Sequence, residues 1–149
     1  MLLQVGDKAP NFELPNQDEK ILKLSDYLGK KLVIYFYPKD DTPGCTAQAC
    51  NLRDNHQALQ AQGYQILGVS IDSPKSHKKF INKYELNFDL ISDEEKKMVE
   101  DYGVWVEKSM YGKTYMGTAR TTFIINEEGI ITEIISKVDT KTHTSQILK

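Results

Sequence analysis

The chain has 149 residues, enough for one domain whose core needs no cross-links, and we predict a single domain over residues 1–149. Its 19 basic and 21 acidic residues give a formal net charge of −2, and this balance argues against nucleic acid or an anionic membrane as a partner. No apolar run is as long as a membrane span, and the amino terminus lacks the basic start and apolar stretch of a secretory signal, so we expect a cytoplasmic protein.

The first half of the chain alternates between strand patterns and helix patterns. In order, we predict a β-hairpin, a strand, a helix and a second strand, over residues 11–14 with 21–24, 32–37, 43–62 and 64–71. The run 32–37 is almost wholly apolar, as is typical of a strand covered on both faces. The two strands and the intervening helix therefore predict a βαβ unit.

The second half continues the alternation. In order, we predict a helix, a strand, a charged helix, a hairpin and a short terminal helix, over residues 73–84, 88–91, 93–102, 121–125 with 130–135, and from 139 to about 148. Ser73 precedes a proline and is suited to cap its helix, and Gly129 lies in the hairpin turn. This alternation predicts an α/β fold.

Cys45 is predicted in the first turn of a helix, directly after the carboxyl end of a buried strand. The free N–H groups and the positive end of the helix dipole at that place favour a thiolate over a thiol. Thr42 is a good N-cap whose hydroxyl can reach the thiolate or a substrate oxygen, and Gly44 allows a ligand close to the backbone. Carboxylates nearby would oppose the thiolate, so we expect Asp40 and Asp41 to point into solvent as turn residues.

Cys50 follows Cys45 by five residues, and this spacing limits what the pair can do. On an ideal helix their Cα atoms are about 8–9 Å apart, because five residues rise about 7.5 Å and turn about 140°. A disulfide requires a separation of less than about 7 Å. If both cysteines lie in the folded helix, bonding them requires residues 42–52 to unwind. The alternative is that Cys50 is only a small buried apolar residue.

Arg120 is one of only two arginines in the chain, with Arg53. It stands at the start of the β-branched run 121–125, where a long charged side chain is costly unless it is paired. Its guanidinium is always charged, and could stabilise a thiolate and polarise a substrate oxygen at once. On position alone, a surface residue at the edge of a strand is an equal alternative.

The three histidines have no spacing typical of a metal site. Together with two cysteines they do not supply a zinc-ligand pattern, so we predict no metal and no other cofactor. His56 is about 16 Å from Cys45 along a rigid helix and is too distant to act as its base. His77 and His143 fall in polar segments and are expected to be exposed. A cysteine-protease pair is therefore not favoured.

The pattern Pro38, Thr42 and Cys45 resembles the Pro-x-x-x-Thr-x-x-Cys signature of the peroxiredoxins. A second cysteine five residues later is similar to the bacterioferritin-comigratory, or PrxQ-type, subgroup. Further matches cover nearly the whole chain and include residues 6–12, 111–113 and 117–120. The resemblance implies a thioredoxin-like fold, with a central mixed β-sheet flanked by helices and an N-terminal β-hairpin extension.

The resemblance also implies a role for each residue of the motif. Cys45 would be the peroxidatic cysteine that attacks hydrogen peroxide or organic hydroperoxides and becomes sulfenic acid. Thr42 and Arg120 would align the peroxide, and Pro38 would shield the sulfenic acid from water. Cys50 would be the resolving cysteine that forms an intramolecular disulfide, which thioredoxin or glutaredoxin reduces. Because this disulfide lies within one chain, we expect a monomer.

Two other classes remain open from the residues themselves. The chain could be a disulfide exchange protein that acts on other proteins, or a redox sensor whose helix unwinds on oxidation. Thr42 and Arg120 favour a peroxidase over an exchange protein or a sensor. Neither of those two classes needs a site beside the thiol that binds the oxygen atoms of a substrate.

Overall fold

A computed structural model describes residues 2–148 of the chain. Its elements in order are β1 (Glu13–Pro15), β2 (Ile21–Lys23), β3 (Lys31–Phe36), α1 (Pro43–Asp54), α2 (His56–Ala61), β4 (Tyr64–Ser70), α3 (Pro74–Tyr84), β5 (Asp89–Ser92), α4 (Lys97–Asp101), β6 (Trp105–Met110), β7 (Lys113–Thr118), β8 (Thr121–Ile125), β9 (Ile131–Ile135) and α5 (His143–Ile147). A single 3-10 turn, Leu24–Tyr27, links β2 to the sheet. Within residues 2–148, none of the helices combines the length and the apolar character needed to cross a membrane.

The centre of the molecule is a five-stranded mixed sheet in the order β5-β4-β3-β8-β9. The strands β3, β4 and β5 are parallel, whereas β8 runs antiparallel to β3 and β9 antiparallel to β8. The predicted βαβ unit, the predicted mixed sheet and the second hairpin are therefore confirmed. The predicted N-terminal hairpin is also present, as β1 paired antiparallel with β2.

The two faces of the sheet carry two separate apolar clusters. In β3, Leu32, Ile34 and Phe36 point to one face and pack with the N-terminal hairpin and α4. The alternate residues Val33 and Tyr35 point to the other face, where α1, α2, α3 and α5 cover them. This is why the run 32–37 is apolar throughout, since neither face of the strand meets water.

The predicted helix over residues 43–62 is interrupted at Asn55, and this part of the prediction is wrong. Asn55 has φ −109° and ψ 15°, and it ends α1 and begins α2. Its side-chain amide donates to the carbonyl of Asn51 at 2.8 Å. Such a side-chain bond competes with the regular helix pattern, which is why asparagine is favoured at helix ends.

The predicted helix over residues 93–102 is shorter than expected and begins only at Lys97. Lys96 has φ 64°, a left-handed conformation that cannot continue a helix. Asp93 is buried and accepts a hydrogen bond from the backbone N–H of Val99 at 2.8 Å. It therefore caps the short helix from four residues before Lys97 instead of beginning the helix itself.

The hairpin β6–β7 was not predicted from the sequence. Its two-residue turn, Tyr111 and Gly112, has φ values of 53° and 76°, the left-handed pair that matches the twist of a tight hairpin. Met110, Tyr111, Tyr115 and Met116 are all exposed on it. Among residues 2–148 the hairpin pairs with no other strand, so no buried face imposes a regular alternation of apolar and polar residues.

Candidate active site

Cys45 is the third residue of α1 and lies just after the loop that leaves β3. It is only 2% exposed and packs in the apolar cluster on the α1 face of the sheet. The N–H groups of the first helical turn have no helical partners and surround this position. The predicted placement of a cysteine at a helix start beside a buried strand is therefore confirmed.

Thr42 occupies the predicted N-cap position, with extended backbone angles of φ −99° and ψ 155°. Its hydroxyl does not cap the helix in the usual way, because it donates to the carbonyl of Lys39 at 2.9 Å. This bond closes the loop before the helix. The hydroxyl oxygen keeps its lone pairs for a further hydrogen bond.

Arg120 lies between β7 and β8 and reaches the start of α1. Its Nη2 donates to Cys45 Sγ at 3.4 Å, and its Nη1 donates to Gln48 Oε1 at 2.8 Å. A Cβ on Gly44 would come within 3.1 Å of Nη2, so the glycine leaves room for the guanidinium. The two segments meet because β8 is antiparallel to β3 and Thr121 pairs with Phe36 at its end.

Gln48 is part of this arrangement and was not predicted. It follows Cys45 by three residues, on the same side of α1, and is fully buried. Its Oε1 fixes one nitrogen of Arg120, while its Nε2 has no hydrogen-bond partner among the described residues. A polar residue one turn after the cysteine is the only sequence signal that could have indicated it.

Lys108 adds a second positive charge to the site and was also missed. It is half-buried on β6, with its carbon chain against Gly117. Burial lowers the pKa of Lys108, and the charge of Arg120 lowers it further, whereas ionised Cys45 raises it. The thiol therefore lies where two cationic side chains act on it.

Cys50 lies in the same helix as Cys45 and is half-buried. Both thiols are free. The structure thus has the folded helix in which the five-residue spacing keeps the two sulfurs from bonding. Pro38 is half-buried in the bend that follows β3.

Asp40 does not point into solvent as expected. It is 8% exposed, and its carboxylate accepts hydrogen bonds from the hydroxyls of Tyr37 at 2.6 Å and Ser76 at 2.8 Å. It also lies 2.7 Å from Nδ1 of His77, which is fully buried and not exposed as predicted. Nε2 of His77 donates to the carbonyl of Ile91 at 2.9 Å, so the buried ring joins the loop before α1 to β5.

The neighbouring Asp41 is exposed as predicted. It has φ 58°, and its carboxylate accepts hydrogen bonds from Lys83 and Tyr84. The hydrogen bond from Lys83 is the main cause of the lowered pKa of Asp41. Asp40 and Asp41 therefore fasten the loop before α1 to α3 from its buried and its exposed side.

His143 is fully buried, which also contradicts the expectation of an exposed residue. Its Nε2 lies 2.8 Å from Thr122 Oγ1, and its Nδ1 lies 2.8 Å from Gln146 Oε1. Burial lowers the pKa of His143.

His56 lies apart from Cys45, in a cleft at the opposite end of the sheet that is also lined by Gln65. Across residues 2–148, no group of three or more His, Cys, Asp and Glu side chains is arranged to hold a metal.

Comparison with known proteins shows the family to which the chain is similar. Residues 5–134 match the AhpC/TSA family. Peroxiredoxin Bcp of Escherichia coli strain K12 is 45% identical over 146 residues, covering 98% of this chain and 94% of its own length. Peroxiredoxin Bcp of Bacillus subtilis strain 168 is 45% identical over 149 residues, covering 100% and 95%. A solved structure of the bacterioferritin comigratory protein of Xanthomonas campestris has a TM-score of 0.87 and 36% identity, covering 92% of this chain and 87% of that one.

The chain belongs to the AhpC/TSA family, and within it to the peroxiredoxins of the Bcp, or PrxQ, type. The predicted thioredoxin-like fold and the predicted peroxidase class are both confirmed. The protein is therefore an oxidoreductase that uses a thiol to reduce peroxides.

Proposed function

We propose that the enzyme reduces hydrogen peroxide and organic hydroperoxides with Cys45 as the peroxidatic and Cys50 as the resolving cysteine. The observation that carries this assignment is the position of Arg120, whose two terminal nitrogens reach Cys45 Sγ and Gln48 Oε1. A peroxide bound beside the sulfur would lie next to the positively charged guanidinium of Arg120, which is already held in place. Electrostatic groups that are already in place stabilise developing charge without reorganisation.

In the first step the Cys45 thiolate attacks one oxygen of the hydroperoxide and the O–O bond breaks. The sulfur gains that oxygen with its hydrogen as sulfenic acid. The other oxygen leaves as hydroxide or alkoxide, takes the proton that the thiol released when it ionised, and becomes water or an alcohol. Arg120 donates to the oxygens while charge moves from sulfur to the leaving group. The Thr42 hydroxyl, whose hydrogen is held by Lys39, accepts the hydrogen of the bound peroxide.

In the second step Cys50 attacks the sulfenic acid sulfur of Cys45. The S–S bond forms, the S–O bond breaks, and the oxygen leaves as water with the Cys50 proton. Because the two sulfurs cannot meet in an intact helix, residues 42–52 unwind before this step. Pro38, in the bend beside the helix start, shields the sulfenic acid from water and from further peroxide.

A dithiol reductant then reduces the disulfide and returns both cysteines to thiols. Thioredoxin is the proposed reductant, with glutaredoxin as the alternative. A reducing compartment such as the cytoplasm and a monomeric enzyme belong to the same proposal, because the disulfide closes within one chain. Size-exclusion chromatography with light scattering tests the monomer.

Two observations support organic hydroperoxides as substrates. The Xanthomonas campestris relative is described as having alkyl peroxide reduction activity. In this chain, Tyr115 pairs with Lys108 on the β6–β7 hairpin, so an exposed aromatic ring adjoins the lysine that interacts with Cys45. The alkyl group of an organic hydroperoxide can pack against the face of such a ring.

A coupled assay tests the proposal as a whole. Peroxide, thioredoxin, thioredoxin reductase and NADPH are mixed with the wild-type enzyme, Cys45→Ser or Cys50→Ser, and NADPH oxidation is followed. Cys45→Ser should be inactive, whereas Cys50→Ser should consume one equivalent of peroxide and then stop. Normal peroxide consumption by Cys45→Ser would overturn the assignment. Replacing hydrogen peroxide with cumene hydroperoxide in the same assay tests the organic substrate.

A further inference from the structure

Asn51, the residue next to Cys50, joins α1 to the C-terminal segment. Its Nδ2 donates to the carbonyl of Lys141 at 2.9 Å, and its Oδ1 accepts from the backbone N–H of Thr144 at 2.8 Å. The hydroxyl of Thr144 also donates to the carbonyl of Asn51 at 3.4 Å. We call these contacts among Asn51, Lys141 and Thr144 the Asn51 clasp.

The other side of the clasp is fixed to the sheet. In α5, His143 Nε2 lies 2.8 Å from Thr122 Oγ1 in β8, and Ile147 is 4% exposed in the apolar cluster that also holds Cys45. The C-terminal segment to which Asn51 is hydrogen-bonded is therefore anchored in the core. Any movement of Asn51 away from α5 must break the clasp.

Resting on the proposed function, we propose that Asn51 is a positioning residue that sets how fast Cys50 reaches the Cys45 sulfenic acid. The unwinding over residues 42–52 includes Asn51. A contact that is present in the folded helix and absent in the unwound one opposes unwinding by its own free energy. The clasp therefore slows disulfide formation without touching the peroxide.

A slower second step changes the fate of the enzyme at high peroxide concentration. While Cys45 remains a sulfenic acid, a second hydroperoxide can transfer an oxygen to it, giving sulfinic acid and water or an alcohol. The disulfide prevents this reaction, because its sulfur is no longer free. The balance between the two products is then set by the clasp and by the peroxide concentration.

Single-turnover experiments on the full chain test this inference. Reduced enzyme is mixed with one equivalent of hydrogen peroxide, quenched with an alkylating agent, and analysed by mass spectrometry for sulfenic acid, disulfide and sulfinic acid. Asn51→Ala removes both side-chain hydrogen bonds of the clasp, and we expect disulfide formation about tenfold faster, given the net strength of ordinary hydrogen bonds. At excess peroxide the sulfinic fraction should fall in proportion.

Two further variants make the test specific. Asn51→Asp keeps the acceptor for Thr144 and loses the donor to Lys141, so an increase of about threefold is expected, and it serves if the alanine variant fails to fold. Asn87→Ala is the matched control, because Asn87 donates to the carbonyl of Arg53, near the end of α1 and outside the unwinding segment. Its rate should equal that of the wild type.

The possible outcomes separate this inference from the proposed function. In all variants the rate of sulfenic acid formation should be unchanged, because no clasp residue contacts the Cys45 sulfur. If disulfide formation in both Asn51 variants stays within twofold of wild type, or if Asn87→Ala accelerates it equally, the clasp has no special role. If the wild-type enzyme forms no Cys45–Cys50 disulfide at all, it is the proposed function that fails.

Discussion

Replacement of Arg120 by lysine should separate its geometry from its charge. Arginine presents two nitrogens in a fixed plane, and here they serve Cys45 Sγ and Gln48 Oε1 at the same time. Lysine keeps the positive charge but has one nitrogen on a flexible chain. The variant therefore loses the simultaneous contact while the net charge of the site stays the same.

The expected cost follows from what is lost. Removing one donor aimed at developing charge typically slows a reaction about 100-fold to 1,000-fold, or about 2.7–4 kcal/mol in the activation free energy. Arg120 is only half-buried, so water partly screens its field and can partly replace the lost donor. We therefore expect the lower end, a decrease of about 100-fold in the rate of sulfenic acid formation.

The measurement is rapid-mixing kinetics of the first oxidation step, with Cys50→Ser as the background so that no disulfide forms. Arg53→Lys is the matched control, because Arg53 is the only other arginine and lies in α1, the helix that Arg120 contacts. It bonds to Asp54 and to the carbonyl of Tyr84, so its replacement should leave this step unchanged. A rate for Arg120→Lys within threefold of the background would refute the assigned role.

Three other predictions concern stability, measured as the free energy of unfolding in urea. Asp40→Ala leaves His77 buried without its acidic partner, and it should cost about 3 kcal/mol, as breaking a buried pair typically does. The pKa of His143 is lowered by burial, so the unfolded chain binds its proton more readily than the folded one. The contribution of His143 is therefore fully favourable above the ordinary imidazole pKa of 6.5 and is lost as the pH falls below it. His143→Gln should therefore lose less stability between pH 7.5 and 5 than the wild type. Gly68→Ala would place a Cβ 2.9 Å from the ring hydroxyl of Tyr35, and this overpacking should cost about 1–3 kcal/mol. A stability equal to the wild type in either substitution, or identical pH profiles for His143→Gln and wild type, would contradict the corresponding prediction.

The sequence predicts best the elements whose patterns are imposed by burial. The strand β3 and the hairpin β8–β9 were predicted because apolar residues fill most of their buried positions. The hairpin β6–β7 was missed because, in the part of the chain that the structure describes, its two strands pair only with each other and remain largely exposed. Its turn, Tyr111-Gly112, was the one local signal, since glycine favours the left-handed conformation that the turn requires.

In the candidate site, too, features set by neighbouring residues were predictable and features set by distant residues were not. The placement of Thr42 and Cys45 at a helix start depends on neighbouring residues and was predictable. The contact of Arg120 with this helix start depends on the register between β3 and β8, which the sequence does not specify. The burial of His77 and His143 could not be predicted from the sequence either, because each lies in a polar segment and is enclosed by distant parts of the chain.

The antiparallel pairing of β8 with β3 also has a consequence for the growing chain. During synthesis Cys45 leaves the ribosome 75 residues before Arg120, which reaches the thiol only when β8 has added to the sheet. Until then the cysteine lacks its arginine, and on the proposed mechanism it should react with peroxide more slowly than in the complete fold. On the proposed mechanism the full reactivity of the enzyme therefore arises once the sheet is complete, and a chain that stops before β8 should carry a slowly reacting cysteine.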